Sequence, residues 1–122
     1  MTPGEIVNTF IAAIVAKDLD AALALVTDDV EYDNVPMAKV HGPDGIRSVL
    51  EPFSAAVGGI DWVIHHQIEQ GDVVMNERVD RFELGDRWME LPVAGLFVLR
   101  DGRIALWRDY FDLGTFEREM AG

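Results

Sequence analysis

From Trp62 to Phe111 the chain consists of four long runs, Trp62 to Glu69, Val73 to Leu84, Arg87 to Leu99 and Arg103 to Phe111, separated only by Gln70-Gly71-Asp72, Gly85-Asp86 and Asp101-Gly102. Strand-like runs joined by turns this short pair with their chain neighbours, so this half of the sequence dictates an antiparallel meander. Asp101-Gly102 is the dipeptide of a type I′ turn, whose twist matches that of the strands it joins. Pro92 falls inside the third run, and proline donates nothing to a ladder, so an edge or bulge position is expected there.

The first half reads differently. Thr2-Pro3-Gly4-Glu5 is a capping box with proline at the first helical position, and Ile6, Val7, Phe10, Ile11, Ile14 and Val15 follow at helical spacing. Asp18 or Asp20 can cap a second, short helix carrying Leu19, Leu23, Leu25 and Val26, ending near Thr27-Asp28-Asp29. A first strand is expected over Val30 to Val35. Gly42-Pro43-Asp44-Gly45 opens a third helix with Ile46, Val49, Leu50 and Phe53 inward and a bend at Pro52, and Gly58-Gly59 then opens the sheet-rich half. Helices first and strands afterwards imply an α+β fold in which helices cover one face of a strongly curved sheet.

The 122 residues make one domain, 1 to 122, with no repeat, linker or low-complexity segment. The formal charge of -12 argues against nucleic acid or an anionic membrane as partner, because both need clustered Lys and Arg. The absence of cysteine removes thiolate nucleophiles, disulfides and zinc-thiolate sites at once and suits a reducing cytosol. No stretch approaches the roughly 20 apolar residues of a membrane span, and no basic-then-apolar leader opens the chain. The expectation is a cytoplasmic protein with one pocket for a small neutral ligand.

Three polar clusters interrupt the strand-like sequence: Tyr32-Asp33-Asn34, Asn76-Glu77-Arg78-Val79-Asp80 and Trp107-Arg108-Asp109-Tyr110. An extended chain alternates its faces, so Arg78 projects with Asp80, Val74 and Phe82, Tyr32 with Asn34, and Asp109 with Trp107 and Phe111. Charged groups therefore share faces with large apolar ones, and burying charge costs several kcal/mol unless it is paired. If adjacent strands unite Arg78, Asp80 and Asp109, the trio carries a net charge of about -1 with both carboxylates ionised and none with one protonated, so burial favours a single shared proton. One aspartate then acts as acid and the other as base. The planar fork of Arg78 can hold both, and Tyr32 and Asn34 can hold a water. Such a site protonates a leaving oxygen while deprotonating water, with no covalent intermediate or metal. Residue identities alone leave open which aspartate is which.

With Tyr32-x-Asn34, Arg78-x-Asp80 and Trp107-Arg108-Asp109 in this order and spacing, the whole chain resembles the limonene-1,2-epoxide hydrolases. His41-Gly42-Pro43-Asp44-Gly45 occurs more widely, in the SnoaL-like and NTF2-like curved-sheet proteins that include ketosteroid isomerases and polyketide cyclases. The resemblance implies a mixed, mainly antiparallel sheet forming an α+β cone, with N-terminal helices packed in its concave side. It implies that Asp80 protonates an epoxide oxygen, that Asp109 takes a proton from water and that Arg78 bridges them. Tyr32, Asn34 and Asp109 would position the water for one-step opening to a vicinal trans-diol, without a cofactor, in a homodimer. Leu25, Trp107, Phe111 and Phe116 are candidate lining residues on apolarity and alternation.

Blander readings stand beside these. Arg78 and Asp80 can be a solvated strand face, Asp109 a structural carboxylate, Tyr32 a core tyrosine and Asn34 a turn former before Pro36. His65-His66 invites a metal, but neighbours on a strand face opposite ways and no third ligand stands out. Trp62, Trp88 and Trp107 are more often core or interface residues than binding platforms, although Trp107 shares the face of Asp109, and Glu117-Arg118-Glu119 is solvated surface. A ketosteroid-isomerase-like or cyclase-like proton shuttle uses related groups, an aspartate base with tyrosine and protonated-aspartate donors. Here the only tyrosines are Tyr32 and Tyr110, and an arginine beside the acid is unexpected for such a site. A non-catalytic binding module is the third reading, since fold alone does not determine function.

Overall fold

The computed structural model describes residues 1–122. Helix α1 (Pro3–Val15) begins at the expected capping box: the Thr2 hydroxyl accepts from the Glu5 N–H and the Glu5 carboxylate accepts from the Thr2 N–H. Its apolar stripe, Ile6, Val7, Phe10, Ile11 and Ile14, is buried. Asp18 caps α2 (Leu19–Leu23), and the chain then enters strand β1 (Val26–Asn34). This strand starts four residues before the expected Val30, because the segment read as the end of the second helix is already extended. A short β2 (Val40–His41), absent from the sequence expectation, leads into α3 (Gly42–Ala56), which runs on through Pro52.

Strands β3 (Ile60–Gln70), β4 (Val73–Leu84), β5 (Arg87–Arg100) and β6 (Arg103–Tyr110) form the expected meander. Asp101 and Gly102 both adopt positive φ, 54° and 78°, as a type I′ turn requires. The strands make one sheet in the order β2-β1-β6-β5-β4-β3, antiparallel throughout except where β1 runs parallel to β6. Bulges interrupt the ladder at Ile64/His66, Val98/Leu99 and Val26/Glu31, and each bends its strand.

Pro92 lies in the sheet's interior order, yet locally it stands at an edge. The β5–β6 register begins only at Ala94, so at Pro92 the strand has β4 on one side and no strand on the other. A final helix, α4 (Leu113–Ala121), which the sequence reading did not anticipate, closes that gap. The Glu90 N–H, two residues before Pro92 and pointing the same way, donates to the Glu119 carboxylate at 2.9 Å, and Arg87 donates to the Glu119 carbonyl at 2.6 Å. Glu119 thus serves the sheet edge rather than being a purely solvated charge.

The core lies between the helices and the inner face of the sheet. Phe10 from α1 packs edge-on against Trp107, their centroids 5.0 Å apart, while Phe97 and Tyr32 stack parallel to the same indole. The inner face is where the alternation of β4 and β6 puts Arg78, Asp80 and Asp109.

Candidate active site

Register explains how residues distant in sequence meet. On β4 the inward positions are Val74, Asn76, Arg78, Asp80 and Phe82, all buried. Asn76 faces Gly95 across β5, Gly95 faces Asp109 across β6, and Asp109 faces Asn34 across β1. One row of the sheet therefore reads Asn76, Gly95, Asp109, Asn34, and the neighbouring row Val74, Phe97, Trp107, Tyr32. Arg78 and Asp80 continue the inner face on β4, with Val93 and Leu91 beside them on β5 and Ile64 and Trp62 on β3.

Arg78 must cross β5 to reach Asp109. It does so because Gly95 presents no side chain: a Cβ there would collide with Arg78 Nη1 and stand 2.9 Å from Asn76 Oδ1 and 3.1 Å from Asp109 Oδ1. Its Nε donates to Asp80 Oδ1 at 2.7 Å, and its Nη2 donates both to Asp80 Oδ2 at 3.1 Å and to Asp109 Oδ2 at 2.6 Å. Nη1 donates to Asn76 Oδ1 at 3.0 Å. The guanidinium also lies over the Trp62 ring, 5.0 Å from its centroid, a cation–π contact on the apolar side. The second oxygen of Asp109 accepts from Trp107 Nε1 at 2.9 Å. Tyr32 and Asn34 stand beside Asp109, and the Asn34 amide donates to the Tyr32 hydroxyl oxygen at 2.9 Å. That leaves the Tyr32 proton and the Asn34 carbonyl oxygen available to a third group.

Arg78, Asp80 and Asp109 are only 1%, 3% and 3% exposed, so the trio is a buried charge cluster rather than a solvated face. Burial pushes the Asp80 carboxyl up to about 7, with the nearby Asp109 adding to the rise and Arg78 opposing it. Burial works against the Arg78 charge, but the two carboxylates outweigh it and hold the guanidinium above its ordinary value. Burial and the Asp109 charge together push the Tyr32 hydroxyl up, so it stays protonated. Burial thus favours the neutral form of Asp80 beside a guanidinium that stays charged.

Asp80, Asp109, Tyr32 and Asn34 all open onto one cavity of about 190 Å³, whose walls are otherwise almost wholly apolar. Ile60, Trp62, Phe82, Leu91 and Val93 come from the sheet, Ile14 from α1, Val49, Leu50 and Phe53 from α3, and Met37 and Lys17 from connecting segments. Phe111 and Phe116 line it as expected. Leu25 and Trp107 do not, and the expectation is corrected for both. Leu25 sits in the link between α2 and β1, where its carbonyl accepts from Ile104 N–H at 2.9 Å and its side chain packs on the core. Trp107 is fully buried behind Tyr32, whose ring stacks on it at 3.9 Å, and it holds Asp109 instead of facing the cavity. Sequence reasoning missed Gly95, although a glycine inside a strand is a signal of close approach by another group. It also missed Leu91 and Val93, which their alternation with Met89 marks as inward. The helical wall residues carried no signal beyond amphipathicity. His65 and His66 straddle the β3 bulge on the exposed side, and His66 faces Glu77.

Comparison with known proteins identifies the chain's relatives. A family model of the limonene-1,2-epoxide hydrolase catalytic domain matches residues 1–121. The epoxide hydrolase EphG of Mycobacterium tuberculosis is 35% identical over 107 residues, covering 88% of this chain and 71% of that protein. The structure of an M. tuberculosis LEH-like epoxide hydrolase superposes with a TM-score of 0.83 at 32% identity, over 96% of this chain and 87% of that one. An NTF2-like protein of unknown function from Burkholderia pseudomallei has a TM-score of 0.87 at 18% identity, over 100% and 99% of the two chains, and shows the fold alone.

Proposed function

The chain belongs to the limonene-1,2-epoxide hydrolase family, and from that premise we propose that it adds water to an apolar epoxide, cyclic ones of the limonene-1,2-epoxide type included, in a single step. The carrying observation is the buried bridge in which one nitrogen of Arg78 hydrogen-bonds both Asp80 and Asp109 at the wall of an apolar cavity. Asp80, whose burial favours the neutral form, is the acid, and Asp109 is the base. A water held by the Tyr32 proton, the Asn34 carbonyl oxygen and Asp109 has three polar partners, the usual number for a buried water. Its oxygen attacks one ring carbon from the face opposite the C–O bond that breaks. Asp109 takes the water proton as Asp80 gives its own to the departing oxygen, and the product is a vicinal trans-diol. Each turnover leaves the proton on the other carboxylate, and its return restores the starting state. The chemistry asks for no metal or organic cofactor.

Diol formation from limonene-1,2-oxide, cyclohexene oxide and styrene oxide by chelator-treated protein tests this reading, with folded Asp109→Asn as control. Wild-type turnover with a loss of about 10³-fold in the variant is expected, in the range that general base catalysis supplies. In a single turnover in oxygen-18 water the label should appear in the diol at once. Label delayed to later turnovers would mean that an aspartate oxygen is transferred first, and would overturn one-step attack.

The protein is further proposed to be a homodimer. The outer face of the sheet carries Val63, Ile68, Val73, Met75 and Tyr110, each exposed by 38% to 71%, beside Val79, Pro92, Ala94 and Leu96. Exposed apolar side chains gathered on one sheet face, here interspersed with Glu77 and Arg81, suit a face that meets a second copy. Sedimentation should give a dimer, and Met75→Lys should shift it towards monomer.

A further inference from the structure

Resting on the reading of Asp80 and Asp109 as acid and base, we propose that Asn76 is a positioning residue. It seats the Arg78 guanidinium between the two carboxylates without adding charge, and is itself held by an amide chain through Gln67 to Asn8. Arg78 has donors only, so the side of Asn76 that meets Nη1 must be its oxygen. That turns the Asn76 amide N–H group outward, where it donates to Gln67 Oε1 at 3.1 Å, and Gln67 Nε2 in turn donates to Asn8 Oδ1 at 3.0 Å. The arginine thus sets the polarity of the whole chain, which runs from the buried site across β3 to the surface of α1. Asn76 is 5% exposed and lies opposite Gly95, in the same row as Asp109.

The neutrality of this residue matters. Nε and Nη2 of Arg78 are taken by Asp80 and Asp109, and Nη1 needs an acceptor to keep the fork in its plane. A carboxylate there would satisfy the geometry but put a third negative charge beside a pair that must share one proton. An amide oxygen satisfies it without charge. The charged or titratable groups that surround Asp80 are Arg78 on its own strand, Asp109 on β6, Tyr32 on β1 and, across the cavity, Lys17, whose Nζ is bound to the Ser54 and Val57 carbonyls. Strands β3 and β5 present Trp62, Leu91 and Val93. A charge at position 76 would therefore be felt chiefly by the dyad.

Carbon-13 carboxyl titration of the aspartates, together with the pH profile of diol formation, tests the role in the isosteric Asn76→Asp variant and in Asn76→Ala. Asn76→Ala should lose about ten-fold in kcat at an unchanged KM, the size of one misplaced hydrogen bond. Asn76→Asp should retain the fold and move both the Asp80 titration and the descending limb of kcat/KM upward by about one pH unit. An Asn76→Asp protein that titrates like wild type and keeps its pH profile would overturn the proposal, even with wild type turning epoxide to diol. Wild type that forms no diol, while the Asp80 titration still moves in Asn76→Asp, would remove the epoxide hydrolase reading and leave the seating of Arg78 by Asn76 standing.

Discussion

In the proposed reaction Asp80 is given the acid role because its burial keeps a proton that an exposed aspartate would release. A carboxyl raised to about 7 is protonated below that pH and ionised above it, so kcat/KM should fall as pH rises through about 7. A profile flat from pH 6 to 9 would require a different proton donor. Gly95 is the residue that lets the site exist, since it alone makes room for Arg78 to span two strands. Gly95→Ala should cost about 1–3 kcal/mol in denaturant unfolding, as overpacking does, and should lower kcat further than this by pushing Arg78 off Asp109. Arg78, Asp80, Asp109, Tyr32 and Asn34 were legible in the sequence because polar groups on apolar strand faces stand out. Gly95 was missed, because a glycine inside a strand signals close approach by some group but does not say which group passes over it. Leu25 and Trp107 were misplaced because apolarity shows that a residue is inside, not whether it faces a cavity or the core behind it.

Among the elements, the strands from β3 to β6 were readable nearly to the residue, since turn dipeptides and period-two alternation are local signals. α1 was equally plain from its capping box. Thr2→Ala should lower stability by about 1 kcal/mol, the usual worth of such a cap, with kcat unchanged because Thr2 is far from the cavity. β2 and α4 escaped notice for different reasons. Two residues of strand have no period of their own, and β2 exists only because β1 offers an edge to pair with. α4 buries no residue fully, so its apolar stripe is short, and what holds it is the unpaired edge of β5 at Glu90 and the packing of Phe116 on Phe53 and Phe111. β1 began early because its first residues, Val26 to Asp29, precede the bulge and do not alternate cleanly.

For the whole molecule, the buried cluster leaves a signature in stability. An unfolded aspartate releases its proton near 3.8, whereas folded Asp80 keeps it up to about 7. Between those values the native state binds more protons than the unfolded one, so this group makes unfolding free energy fall as pH rises from about 4 to about 7, and adds no further slope above. Asp80→Asn should remove that component, narrowing the difference between pH 5 and pH 8 by on the order of 2 to 4 kcal/mol in urea titrations. Equal pH dependence in both proteins would show that Asp80 is not the buried acid. The sequence by itself determined the α+β class, the meander and the identity of the five polar residues, because hydrophobic periodicity, caps and turn chemistry act over a few residues and are written there directly. Only the tertiary structure decided that β1 lies parallel to β6, that Asp109 comes within 2.6 Å of Arg78 across a glycine, and that the cavity closes with walls from four helices and the sheet. Those depend on register and packing between segments far apart in the chain, where the energy of any one residue's placement is set by neighbours that its local sequence does not name.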